Sequence, residues 1–171
     1  DLIDEKINEL LDNRIGEIDH SFLVALSEVF NSQNMVMLYD PSKYDAEIGT
    51  AREYINFIRT ENRCPFEKNP ENKDIIKKYL DEQKIIEKNM FQQAYGSKLE
   101  FYKYEISRIP SHSIFSTYTE TNGAVEETCN FQYAFWMSEN IQFVATLQCF
   151  EKEKNESTQV FKEIVQSVIK N

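Results

Sequence analysis

A chain of 171 residues with 41% apolar and 13% aromatic side chains can bury a core and is too apolar to be disordered throughout. Its 29 acidic against 19 basic residues give a formal charge of −10, which argues against nucleic acid and anionic membrane surfaces, since both need a basic face. No apolar run approaches the ~18 residues of a spanning helix, so no membrane insertion is expected, and four scattered glycines cannot build a phosphate-binding loop.

The first elements read as helices. Leu2, Ile3, Ile7, Leu10, Leu11 and Ile15 recur at spacings of three and four, and Gly16 suits a helix end. A second helix is expected from Asp19, an N-cap, with Phe22, Leu23, Leu26, Val29 and Phe30 inward. Residues 34–39 read as a short strand and 40–43 as a turn. Ile48, Ala51, Ile55 and Ile58 then give a third helical stripe.

Residues 59–72 read as a polar loop. A long helix is expected to follow, with Asn69 as cap, Pro70 in the first turn and Gly96 closing it. Its stripe is Ile76, Tyr79, Leu80, Ile86, Met90 and Ala94. Beyond Gly96 the period changes to two. Strands are expected at 99–107, 113–120, 124–137 and 141–149, with Asn122-Gly123 as a two-residue hairpin turn. In the third of these, Cys129, Phe131, Tyr133, Phe135 and Met137 alternate with polar residues, so one face is core and the other wet. Residues 151–157 read as a solvated loop. A closing helix carries Phe161, Ile164, Val165, Val168 and Ile169.

The fold class is therefore α+β. It comprises N-terminal helices, a four-stranded antiparallel meander and a closing helix, expected as one domain over 1–171, with 1–95 mostly helical and 97–171 the sheet and last helix. If residues 138–140 form a three-residue turn, Met137 lies opposite Ile141 and Cys129 directly opposite Cys149 on the apolar face. Opposed Cα atoms stand roughly 4.5–5.5 Å apart, within reach of a disulfide. The readings are a bridge in an oxidising compartment, which could instead join Cys64 to either of the two, or two small buried hydrophobes in a reducing one.

Catalytic signatures are missing from the sequence. Cys64 with His20 or His112 has no supporting motif, and the chain has no C-x-x-C, no H-E-x-x-H and no nucleophile elbow. Glu126 and Glu127 point to opposite faces of a strand and cannot share a site. No catalytic residue, metal ligand or cofactor is expected. Trp136 falls on the face opposite Phe135, beside Val144 and Phe150; either a helix covers these three or they form a partner surface.

The last third, "FQYAFWMSENIQFVATLQCFEKEKNESTQVFKEIVQSVIKN", resembles the end of small PsbP-like domains: two long strands around a tight turn, a charged loop, and a closing helix with Phe161, Ile164, Val165 and Ser167 in the pattern F-x-x-I-V-x-S. The resemblance implies an α/β/α sandwich, export, no enzyme activity and protein partners. A helix-then-sheet order is also similar to cystatin-like or nuclear-transport-factor-like cones. The chain begins at Asp1 without methionine; either a leader has been removed or the chain has been trimmed, and a lost signal peptide would place it in the periplasm or outside the cell.

Three functions follow. The first is a non-enzymatic, periplasmic or secreted domain that binds another protein, basic in charge, as an immunity or inhibitor protein would. The second is a cytosolic acidic secretion chaperone or adaptor. The third is a small-ligand-binding or enzymatic cone, which requires a deep cavity with convergent polar groups.

Overall fold

The structure is a computed structural model and describes residues 35–39, 44–45, 50–51 and 53–167. In chain order these form β1 (Met35–Tyr39), β2 (Tyr44–Asp45), β3 (Thr50–Ala51), β4 (Tyr54–Glu61), α1 (Lys73–Tyr95), β5 (Phe101–Ile106), β6 (Phe115–Asn122), β7 (Thr128–Ser138), β8 (Ile141–Phe150) and α2 (Lys154–Gln166). The helices expected within residues 2–30, the turn at 40–43, and Val168 and Ile169 lie outside the described residues.

Alternation along β7 and β8 decides the layers. Phe131, Tyr133 and Phe135 share one face with Phe143, Ala145 and Leu147 of β8 and Phe57 of β4. Against them α2 lays Phe161, Ile164 and Val165, which recur at helical spacing, and Tyr133 meets Phe161 at 5.6 Å between ring centroids. Each such side chain taken out of water contributes ~1.5–3 kcal/mol, so this face holds the fold. The loop before β6 fastens α2: Ser111 N–H donates to Gln166 Oε1, and Gln166 Nε2 donates to Ser111 Oγ.

The expected meander is present as β5-β6-β7-β8, and β4 and β1 extend it to a six-stranded antiparallel sheet in the order β1-β4-β8-β7-β6-β5. With α2 on one face and α1 on the other, these elements make an α/β/α sandwich. Among the described residues before α1, strands therefore stand where the sequence reading expects a helix. Ile55 and Ile58 belong to β4, not to a third helix. Ile55 and Phe57 face the core and Asn56 the other side, but Ile58 also falls on that other side, three residues from Ile55, and so mimics a helical spacing.

Three local expectations change. Asn72, not Asn69, caps α1: its side chain accepts from the backbone amides of Asp74 and Ile75 at 3.0 and 3.3 Å. Asn69 Oδ1 instead accepts from the backbone amide of Ser116. Gly96 closes α1 as expected, left-handed at φ 64°. Asn122-Gly123 is no two-residue turn, because β6 runs through Asn122 and the loop extends from Gly123 to Glu127. The Asn122 side chain joins the preceding loop instead, accepting from Glu100 N–H and donating to the Lys98 carbonyl oxygen. Lastly, residues 151–157 are not a free loop: a 3-10 turn over Glu151–Glu153 leads straight into α2.

The cysteine register is as expected, with Cys129 opposite Cys149. The turn that produces it differs. Ser138 pairs with Ile141 around a two-residue turn, and an irregularity between Trp136 and Ser138 absorbs Met137 as a bulge. No bridge forms. All three cysteines are free, because the Cys129 sulfur is turned toward the Cys149 carbonyl oxygen, to which it donates at 3.7 Å.

Candidate functional site: a cleft between the first helix and the sheet

The second sheet face is neutral and polar. One rung crosses five strands as Asn56, Thr146, Gln132, Thr119 and Tyr104. A neighbouring rung holds Gln148, Asn130 and Thr121. Every polar member is an amide or a hydroxyl. Gln132 Nε2 donates to Thr146 Oγ1 at 3.3 Å, whereas the side-chain carbonyl oxygens of Asn56 and Asn130 are buried with no hydrogen-bond partner. An unmet buried acceptor costs ~1–3 kcal/mol, so such atoms concentrate where a ligand or water can meet them.

α1 spans this face without lying flat on it. Its first half is fixed by an aromatic cluster, in which Phe66, Tyr79 and Phe115 meet edge-on at 4.9–5.6 Å and Phe115 continues to Trp136 at 5.5 Å. Further along, α1 approaches β5 more closely than any other strand. The Tyr104 hydroxyl donates to Glu87 Oε1 at 3.2 Å, and the ammonium groups of Lys84 and Lys88 sit over the Phe101 ring at 5.9 and 5.8 Å. Over β7 and β8 the helix stands off, which leaves a cleft of about 640 Å³. Amides and hydroxyls form most of the floor, with Ala134, Trp136 and Val144 among them; Ile86, Met90 and Phe91 of α1 form the roof.

Glu87 is the one carboxyl among the described residues that line the cleft. Burial pushes its carboxyl up to about 7, although the Tyr104 hydrogen bond works in the other direction. Burial and then the charge of Glu87 push Tyr79 up to about 12, and the same two causes raise Tyr104. Both phenols therefore stay protonated at neutral pH as donors.

Of the residues singled out from sequence, Trp136 is 1% exposed, and its indole Nε1 donates to the Asn62 carbonyl oxygen at 3.0 Å. It is therefore no surface anchor: the loop before α1 and the aromatic cluster around Phe115 cover this end of the face. Val144 lines the cleft, and Phe150 lies half-buried at the far end of β8 beneath the Lys152 ammonium at 5.5 Å. The three do not form one patch. Cys64 is held locally, its thiol donating to the Phe66 carbonyl oxygen, and burial raises its pKa. Among the described residues no His, Cys, Asp or Glu group clusters as metal ligands would. No helix among them is long and apolar enough to cross a membrane.

The sequence reading missed Glu87 and the cleft itself. A signal existed: Gln83, Glu87 and Phe91 are spaced four apart beside the apolar stripe, and all three line the cleft. The polar side chains of β6, β7 and β8 read simply as a wet face.

No family model and no curated protein matches this chain. Among solved structures it is similar to the solution structure of cyanobacterial PsbP (CyanoP) from Synechocystis sp. PCC 6803, at 12% identity over 79% of this chain and 81% of that one, with a TM-score of 0.45.

Proposed function

We propose that this is a non-enzymatic binding domain that holds a ligand in the cleft between α1 and the sheet. One observation carries the reading. The sheet face under α1 is laid with amides and hydroxyls, including a buried Asn130 carbonyl oxygen without a partner, and an open volume of about 640 Å³ stands above it. A face meant only to pack against a helix is apolar, as the opposite face is against α2. Ligand sites combine a concave shape with a few placed polar groups, and this half-open cleft has both. The sequence resemblance to PsbP-like domains favours an exported compartment for this work.

The test is backbone NMR of the labelled protein against a chemically diverse set of small compounds. Binding in the cleft shifts the amides of Thr119, Asn130, Gln132 and Thr146, and filling the cleft with Thr119→Leu suppresses the shifts while the spectrum stays folded. The reading fails if no compound moves these amides and Thr119→Leu simply stabilises the protein, since the cleft would then be a packing defect.

A protein partner is the second reading. It is favoured by Ile75 and Ile85, which stand 49% and 62% exposed on α1, and by the charge of −10, which suits a basic surface. Here a native pulldown at low salt recovers a stoichiometric basic protein and Ile85→Glu loses it. Recovery that is unchanged by both salt and Ile85→Glu rules this mode out.

A further inference from the structure

The cleft contains an acid without a counter-ion. Among the described residues the Glu87 carboxylate accepts one hydrogen bond, from Tyr104, and takes part in no ion pair. Of the cations near it, Lys84 lies over the rings of Phe101 and Tyr104 and Lys88 over Phe101, and Arg63, which also lines the cleft, makes no ion pair with it. The other titratable groups of the lining are the phenols of Tyr79, Tyr95 and Tyr104. β6, β7 and β8 add hydroxyls and amides to this lining but no charge.

An ionised carboxylate that leaves water without a cation is costly, and the cost is recovered when a ligand brings the cation. An anionic ligand would be repelled by Glu87 and by the net charge of the chain. A neutral polyol could use the floor but would leave the carboxylate without its counter-charge. The surroundings also suit a cation, because Phe91, one helical turn beyond Glu87, lines the same cleft, and aromatic rings attract organic cations.

We infer that the cleft binds an organic ammonium ion, with the ammonium group on the Glu87 carboxylate beside Tyr104 and the remainder of the ligand over the amide-hydroxyl floor. The inference rests on the reading of the cleft as a ligand site and deepens it to a chemical class. It also makes binding proton-linked. Glu87, raised to about 7 by burial, must be ionised to hold the ammonium. Below that pH, binding releases a proton, and affinity falls about tenfold for each further unit of acid.

Calorimetric titration of the whole chain with putrescine tests this, with butanediol as the uncharged probe of equal length and a short lysine-bearing peptide in parallel. The expected result is binding of putrescine, none of butanediol, and at about pH 6 a heat that depends on the buffer because a proton is released. Glu87→Gln keeps the folded NMR spectrum, weakens binding about tenfold or more, and abolishes the buffer dependence. If the peptide binds with the same dependence on Glu87 and putrescine does not, the ammonium belongs to a partner's lysine; if putrescine alone binds, it belongs to a free amine. Equal putrescine affinity in the native protein and Glu87→Gln overturns the inference, as does failure of both amine probes. If neutral compounds still shift the floor amides in that case, the ligand site stands and only the ammonium assignment falls.

Discussion

Cys129 lies directly opposite Cys149 across β7 and β8, and its thiol donates to the Cys149 carbonyl oxygen at 3.7 Å. The pair belongs to the apolar core under α2. Burial raises both thiols, Cys149 to about 12, with the neighbouring Cys129 adding to the rise there.

Thiol reactivity follows from this placement. The thiolate is the reacting species, and the two core cysteines hold little of it at about pH 8. Cys64, half-exposed in its loop, is therefore alkylated first, and native protein takes up one label quickly while denatured protein takes up all three. Mass spectrometry of a timed iodoacetamide reaction reads this directly. Rapid labelling of Cys129 or Cys149 in native protein would contradict the core described above.

Gly123 is a position where close approach demands glycine. A Cβ added there would land on Thr128 Oγ1, and the backbones are tied at this point by Gly123 N–H donating to the Thr128 carbonyl oxygen at 2.8 Å. Gly123→Ala forces β6 and β7 apart at the loop and costs ~1–3 kcal/mol, as overpacking of a tight site does. Urea denaturation should show a lower midpoint with an unchanged slope. A midpoint within error of the native protein would show that the loop can yield.

The contrast between Gly123 and Cys129 shows what the sequence could and could not convey. Strict alternation along 129–149 set the strands and their register, because a slip of one residue would turn Phe131, Tyr133 and Phe135 out of the core. That constraint held even though the turn closed with two residues and a bulge. Asn122-Gly123 pointed to the right neighbourhood and the wrong turn, since Asn122 is engaged by Lys98 and Glu100, contacts no local pattern reveals. β4 was misread because Ile55 and Ile58 fit a helical spacing, and only their place between β1 and β8 makes them a strand. The cleft was hidden for a similar reason: alternating Thr, Asn and Gln look the same whether water or a helix stands above them. Glu87 acquires its raised carboxyl from burial in the fold, and its one hydrogen bond comes from Tyr104, 17 residues away on another element.

The cap of α1 ties stability to the site. Asn72 satisfies two amides that the first helical turn leaves free. Asn72→Ala should cost ~1 kcal/mol and should speed amide exchange in the first turns of α1 before it affects the sheet. Exchange that rises equally in α1 and β7 would mean that the helix and sheet open together, contrary to a roof held mainly at its first half and along β5.

Trp136 reports on that attachment as the chain's single tryptophan. Its ring is buried against Phe115, and its indole N–H is bound to the Asn62 carbonyl oxygen. The native protein should emit at short wavelength and resist quenching by iodide. Trp136→Phe removes the donor and part of the packing, for ~1–3 kcal/mol. Strong iodide quenching of the native protein would place the indole at the surface, as a partner anchor would be.

Glu87 should make the protein less stable as pH rises. Its carboxyl titrates near 7 in the folded chain, against 4.5 for an unburied one. Below about 4.5 both states hold the proton and the contribution is present in full. Between there and about 7 the unfolded chain ionises freely while the folded one keeps its proton, so the folded state binds more protons and stability falls with pH. The loss is complete above about 7 and amounts to about 3 kcal/mol at most, since the group retains some access to solvent. Denaturant melts of the native protein and of Glu87→Gln across this range isolate the effect. The difference between them should grow in favour of the variant from about pH 4.5 to about pH 7 and then level off. Parallel curves would mean that Glu87 is solvated like any surface acid, whereas a difference in the opposite direction would reveal a cation already seated on it.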